Sequence, residues 1–240
     1  RSSAASDVYK RQVHKGEILG FSGLVGAGRS EIMEAIFGAT RLTSGEVILG
    51  GKPVHFKNPM QAIKAGIALV PEDRKKQGLV LGNSVAFNLT LSSLRFYMNG
   101  IAISEKKRGE VIDHYSQRLR IKAASPEIEA GSLSGGNQQK VVLGREVDLA
   151  SRLLILNQPT RGLDMGAVDR IHHVILEEKT NQKAVLLIST ELSEIFELCD
   201  RIAVMHGGRF MGIYRNGQLT TQQIGLLMAG VPLEEEVQTA

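Results

Sequence analysis

Cysteine is nearly absent from this 240-residue chain. Cys199 stands alone, so no intrachain disulfide can form, and a reducing compartment suits it. Tryptophan is missing altogether, and the other aromatics are few, four tyrosines and seven phenylalanines. No apolar run approaches the ~18 residues that mark a membrane-spanning helix, so the sequence predicts no such segment. An excess of charge is lacking too. The 29 basic and 25 acidic residues leave +4, and no Lys/Arg stripe interleaved with aromatics marks a nucleic-acid face, so no nucleic-acid partner is expected. Lys75-Lys76 and Lys106-Lys107-Arg108 read as solvated charges, and Glu234-Glu235-Glu236 as a frayed acidic end. There is no internal repeat and no low-complexity linker. What remains is an ordinary globular composition, 42% hydrophobic with mean hydropathy −0.05, in a chain long enough to bury its own core.

Against that plain background two patterns carry chemistry. The first is Gly23-Leu24-Val25-Gly26-Ala27-Gly28-Arg29-Ser30, which fits the phosphate-loop template G-x-x-x-x-G-K-[ST] at each fixed position except the lysine, here Arg29. It lies between a strand-like segment (17–21) and a helix-like one (31–37) closed by Gly38. Backbone N–H groups of Gly23, Gly26, Ala27 and Gly28 then face phosphate oxygens, with Ser30 placed to ligate Mg²⁺. The second is Leu133-Ser134-Gly135-Gly136-Asn137-Gln138, a turn that opens a helix with free N–H groups for an anion. Downstream of it Leu153-Leu154-Ile155-Leu156 has the length and composition of a buried parallel strand. That puts Asn157 and Gln158 at its carboxyl end, where α/β proteins hold ligands.

In this order the motifs resemble an ATP-binding-cassette (ABC) nucleotide-binding domain. Ser134-Gly135-Gly136 matches the signature, 153–156 the Walker-B strand and Gly162-Leu163-Asp164 the D-loop. The fold class implied is an α/β P-loop NTPase with an inserted helical subdomain at about 75–145, inside a domain spanning 13–232 and followed by an acidic tail at 233–240. Val70-Pro71-Glu72-Asp73-Arg74, Asn137-Gln138-Gln139-Lys140 and 158–164 are similar to the second cassette of tandem ATPases serving sugar and nucleoside importers. The segments 200–205 and 225–230 lean toward the nucleoside branch. Residues 1–12 look foreign and are expected to be a non-native leader, and Tyr9 lies too close to the phosphate loop to be the adenine-stacking aromatic of the family. The chain therefore reads as missing a first strand and a preceding cassette.

The resemblance also exposes departures. A hydrolysing cassette has a loop lysine, a Walker-B aspartate, a glutamate for the water and a switch histidine. Here Arg29, Asn157, Gln158 and Thr190 stand there, and Glu72 occupies the Q-loop glutamine position. Asn157 lacks the charge that helps hold a hydrated Mg²⁺, and Gln158 is too weak a base to take a proton from water. Losing general-base help alone lowers a rate by roughly 10²–10⁴. Ser134, Gly135 and Gly136 are intact, so the resemblance implies a lid that completes the ATP site of a partner cassette, with Asp164 across the same interface. The expectation is an ATP- and Mg²⁺-dependent subunit of an importer, peripheral on the cytoplasmic face of a bacterial membrane and docked on permease subunits. A non-hydrolysing structural or regulatory cassette is the alternative. A DNA-repair or translation ATPase fits less, for want of a coiled-coil insertion or basic arm. His172-His173 has no matching ligand pair, and His206 reads as a turn residue.

Overall fold

The computed structural model describes residues 12–99, 102–149 and 151–233, and the following concerns those residues. Residues 1–11 of the expected leader, with Tyr9, and the glutamates 234–236 lie outside them. In chain order the elements are β1 (Ile18–Gly23), α1 (Arg29–Ile36), the hairpin strands β2 (Val47–Leu49) and β3 (Lys52–Val54), α2 (Pro59–Lys64) and β4 (Ile67–Val70). A π-helical turn (Arg74–Gly78) leads to α3 (Val85–Thr90), a 3₁₀ segment (Leu91–Tyr97), the short strands β5 (Met98–Asn99) and β6 (Ala102–Ile103), α4 (Glu105–Arg118) and α5 (Gly135–Asp148). Then come β7 (Leu153–Asn157), α6 (Met165–Thr180), β8 (Ala184–Ile188), α7 (Leu192–Leu198), β9 (Arg201–His206), β10 (Arg209–Arg215) and α8 (Thr221–Met228).

Six strands form one sheet in the order β10-β9-β1-β8-β7-β4, parallel except for β10. Its inner strands are apolar at successive positions because both faces are covered. Side chains alternate across a strand, and the alternation divides the core in two. Leu154, Leu156, Val185, Leu187 and Ile202 point toward α5, α6 and α7, where Leu143, Ile171, Ile175 and Ile195 meet them. Leu153, Ile155, Leu186, Ile188 and Met205 point the other way, toward Met33 of α1 and Ala62 of α2. Each fully buried Leu or Ile contributes roughly 1.5–3 kcal/mol. One contact forbids a side chain outright: a Cβ on Gly20 of β1 would lie 2.5 Å from Cys199 Sγ. Cys199 is buried there, and burial pushes its thiol well above the ordinary range.

Local bonds and caps set several boundaries. Helix α3 starts at Val85, after the Ser84 cap, and stops at Thr90. Thr90 Oγ1 bonds back to the Ala86 carbonyl (2.8 Å), a local bond that competes with regular helix, and the chain tightens into 3₁₀. Gly50-Gly51-Lys52-Pro53, read as a turn, already contains the start of β3. His206, read as a turn residue, ends β9, and its Nδ1 lies 2.9 Å from the Met228 carbonyl of α8.

Candidate functional site

The carboxyl ends of β1, β7, β8 and β9 converge on the glycine loop. Gly26 and Gly28 have φ of 82° and 91°, left-handed values that glycine adopts without strain. Gly28 caps α1, and a Cβ on Gly23 would meet the Met205 carbonyl at 2.7 Å. The sequence reading sets Arg29 among the nucleotide-binding residues, able to fork onto phosphates. Its side chain is buried, donating to the Ser189 carbonyl past β8 (2.9 Å) and more weakly to that of Leu24 (3.5 Å). Burial draws the guanidinium below its ordinary value, against the pull of Glu72 and Glu31. It remains a cation all the same, because guanidinium is not deprotonated in proteins.

Three oxygen-bearing side chains meet beside the loop. Ser30 Oγ is 3.0 Å from Asn157 Nδ2 and donates to Glu72 Oε2 at 3.3 Å. Glu72 Oε1 in turn accepts from the Arg161 guanidinium at 2.6 Å. Gln158 follows β7 at φ 53°, a left-handed conformation that is uncommon for a residue with a side chain. It is held by its N–H on the Ile188 carbonyl (2.9 Å). Its Oε1 accepts from both N and Oγ1 of Thr190, each at 3.2 Å. The two positions that would hold the water-polarising glutamate and the switch histidine are thus bonded to each other.

The second cluster surrounds the amino end of α5. Ser134 caps it, exposed, with its Oγ accepting from Asn137 Nδ2 (3.0 Å). Gly135 lies under the Arg74 guanidinium, and a Cβ there would be 2.6 Å from Nη2. Gly136 packs on α6, where a Cβ would stand 2.9 Å from Ala167 Cβ. Asp164 caps α6 by accepting from Ala167 N (3.0 Å). A groove of about 540 Å³ opens here, with Ser134, Asp164, Lys122, Lys140 and Arg170 among its lining.

Sequence reasoning did not assign roles to Arg74, Arg161, Ser189 or Glu194. Arg74 and Arg161 lay inside runs already quoted for their resemblance, and their partners are distant in the chain. Glu194 of α7 is buried and joins His172 Nε2 (2.9 Å) and Thr160 Oγ1 (2.8 Å), so the segment after β7 is tied to the switch helix. His172 belongs to that buried pair.

The sequence profile of the ABC transporter family matches residues 7–161. A ribose import ATP-binding protein of Lacticaseibacillus paracasei is 44% identical over 223 residues, 93% of this chain and 44% of its own length. A xylose import ATP-binding protein of Ralstonia nicotianae is 42% identical over 229 residues, 95% of this chain and 44% of its own. The chain therefore spans less than half the length of these curated relatives. Among solved structures, a nucleotide-free ATP-binding cassette from an ABC transporter matches with TM-score 0.73 at 23% identity, over 85% of this chain and 82% of that one. A dimeric ATP-binding cassette in a post-hydrolysis state, bound to ADP and Pi, matches with TM-score 0.73 at 20% identity, over 85% and 87%. Both likenesses show the α/β cassette fold.

Proposed function

The chain belongs to the ABC transporter family, and from that premise we propose that it is an ATP-binding, energy-coupling cassette of a solute importer, the second of two in the full protein. One contrast carries the reading. Ser134 is exposed on a glycine turn fitted closely to α6, whereas the chain's own site has an amide at both 157 and 158. A lid kept while an engine is lost points to work on a partner's nucleotide. Ser134, Gly135 and Gly136 supply donors to that nucleotide's γ-phosphate, with Asp164 across the interface. Such donors act where charge builds up in the transition state.

In the chain's own site Gly23, Gly26, Ala27 and Gly28 offer backbone N–H groups to the phosphates of ATP. Ser30 Oγ, the Asn157 amide oxygen and Glu72 are hard oxygen donors already in contact, a set that fits Mg²⁺. When bound, the ion neutralises phosphate charge. Gln158 and Thr190 orient water at most, so turnover here is slow while binding persists. The domain is taken as 13–232, with the helical insertion at about 75–145.

The relatives' names, ribose and xylose import, favour a simple sugar as the solute. The segments 200–205 and 225–230 keep a nucleoside as the alternative. The protein acts from the cytoplasmic face of the membrane, docked on permeases and with no nucleic-acid partner. Among the described residues, no helix is long and apolar enough to cross a membrane. A structural cassette that never couples to transport is disfavoured by the intact signature. The test is Ser134→Arg in the full-length protein with its permease. Solute-stimulated ATP hydrolysis should vanish while the variant melts normally; near-normal hydrolysis overturns the lid role.

A further inference from the structure

Arg74 lies against the signature turn, with its guanidinium over Gly135. Arg118 pairs with Glu177 and Glu178, Arg145 with Glu146 and Arg161 with Glu72. Arg74 forms no such ion pair among the described residues. Its Nε is buried without a hydrogen-bond partner, while Nη1 donates to the Arg161 carbonyl at 3.4 Å. The adjacent Asp73 carboxylate is engaged elsewhere, accepting from the backbone of Lys75 (3.0 Å) and Lys76 (3.1 Å) to start the π-helical turn. The guanidinium instead lies on Gly135, where any side chain would displace it.

That position is electrostatically lopsided. The amino end of α5 carries the positive end of the helix dipole, about half a unit charge. Arg74 sets a full positive charge against it, and among the described residues it forms no ion pair, the adjacent Asp73 carboxylate feeling its charge without bonding it. An anion docking on the turn would satisfy both. Arg74 also sits between the signature turn and the segment leading into Gly162-Leu163-Asp164, the two elements assigned above to the partner's nucleotide.

We infer that Arg74 is a further cation of the partner's ATP site, delivered in trans with Ser134–Gly136 to the γ-phosphate. The inference rests on the lid reading of the signature. Arg161 is its positioning residue, since its backbone carbonyl holds Arg74 and its side chain holds Glu72 of the chain's own site.

The test uses the full-length protein with Arg74→Gln and Arg74→Lys, alongside Ser134→Arg. A cation that acts on developing phosphate charge should leave the KM for ATP within about threefold of normal when removed. Removal should lower kcat about ten- to a hundredfold, somewhat less than the loss of an oxyanion-hole donor. Trapping of ADP by vanadate should fall in parallel, and Arg74→Lys should recover part of both. ATP binding by this chain alone should not change in Arg74→Gln, because the chain's own site is untouched. If Ser134→Arg abolishes turnover while Arg74→Gln keeps kcat and trapping within about twofold of normal, the role of Arg74 is refuted and the lid stands. If Ser134→Arg leaves turnover intact, the lid falls and the Arg74 inference falls with it.

Discussion

Asn157 and Glu72 share one hydroxyl, that of Ser30, so the only carboxylate among these three side chains comes from the segment after β4 rather than from the end of β7. That carboxylate is also claimed by Arg161. A metal at Ser30 must therefore share Glu72 with a guanidinium, which weakens its hold. Asn157→Asp should restore a dedicated charge. We expect it to tighten Mg·ATP binding to the isolated chain about tenfold, or ~1.4 kcal/mol, with no gain in EDTA. Calorimetry with and without Mg²⁺ checks this, and equal gains in both would mean that the charge does not reach the metal. A glycine loop and a strand end fix backbone positions by local rules, so Ser30, Asn157 and Gln158 are legible as site candidates, while Glu72 and Thr190 come from the resemblance. The structure sets Ser30 against Glu72 and Asn157, and Gln158 against Thr190. The sequence did not disclose where the long cations reach. Arg29 meets a carbonyl 160 residues away, and no periodicity encodes such a pairing.

At the scale of elements, α6 and α7 are joined through a buried acid. Burial draws His172 down, but Glu194 and Glu197 outweigh it, and its folded pKa lies above the ordinary value. The protonated ring donates to Glu194 (2.9 Å) and faces Glu197 at 3.4 Å. Because the folded value is the higher one, this stabilisation is complete below the unfolded pKa of about 6.5. It is lost as pH rises through the folded pKa. Melting curves of wild type and His172→Gln should therefore differ most at about pH 6 and converge as the medium becomes alkaline. A difference independent of pH would show that the histidine acts only by packing. The parallel strands β4, β7, β8 and β9 were legible as apolar runs, and α4, α5 and α6 from their period. β10 was not, since it is a half-exposed antiparallel edge whose register shifts between Phe210 and Gly212. The site helix α5 begins two residues earlier than its apolar period, because glycines 135 and 136 carry no side chain to signal it.

Over the whole molecule, the segment 80–103 that follows the Glu72 segment exposes Val80, Phe96, Met98 and Ile103, each by more than a third. Arg95 lies over the Phe96 ring, 4.7 Å from its centroid, and covers part of that apolar area. This is the side we expect against a permease. Cysteines at Asn83 and Phe96 should crosslink to permease cysteines in membranes, with a yield that changes on adding ATP. The native Cys199 is buried and stays silent. Stronger crosslinking from Lys179, at the far end of α6, would reverse the docking face. The strand order carries a different consequence, one of time. β1 lies inside the sheet and precedes both of its neighbours in the chain. Its partners are the eighth and ninth, with Ile18 opposite Val185 and Leu19 opposite Arg201. A chain emerging from the ribosome presents the phosphate loop well before either neighbour of β1 exists. Contacts so remote in sequence slow folding, and a long-unpaired apolar strand is where such chains aggregate. The glycine loop therefore depends, as a phosphate cradle, on β8 and β9 closing around β1.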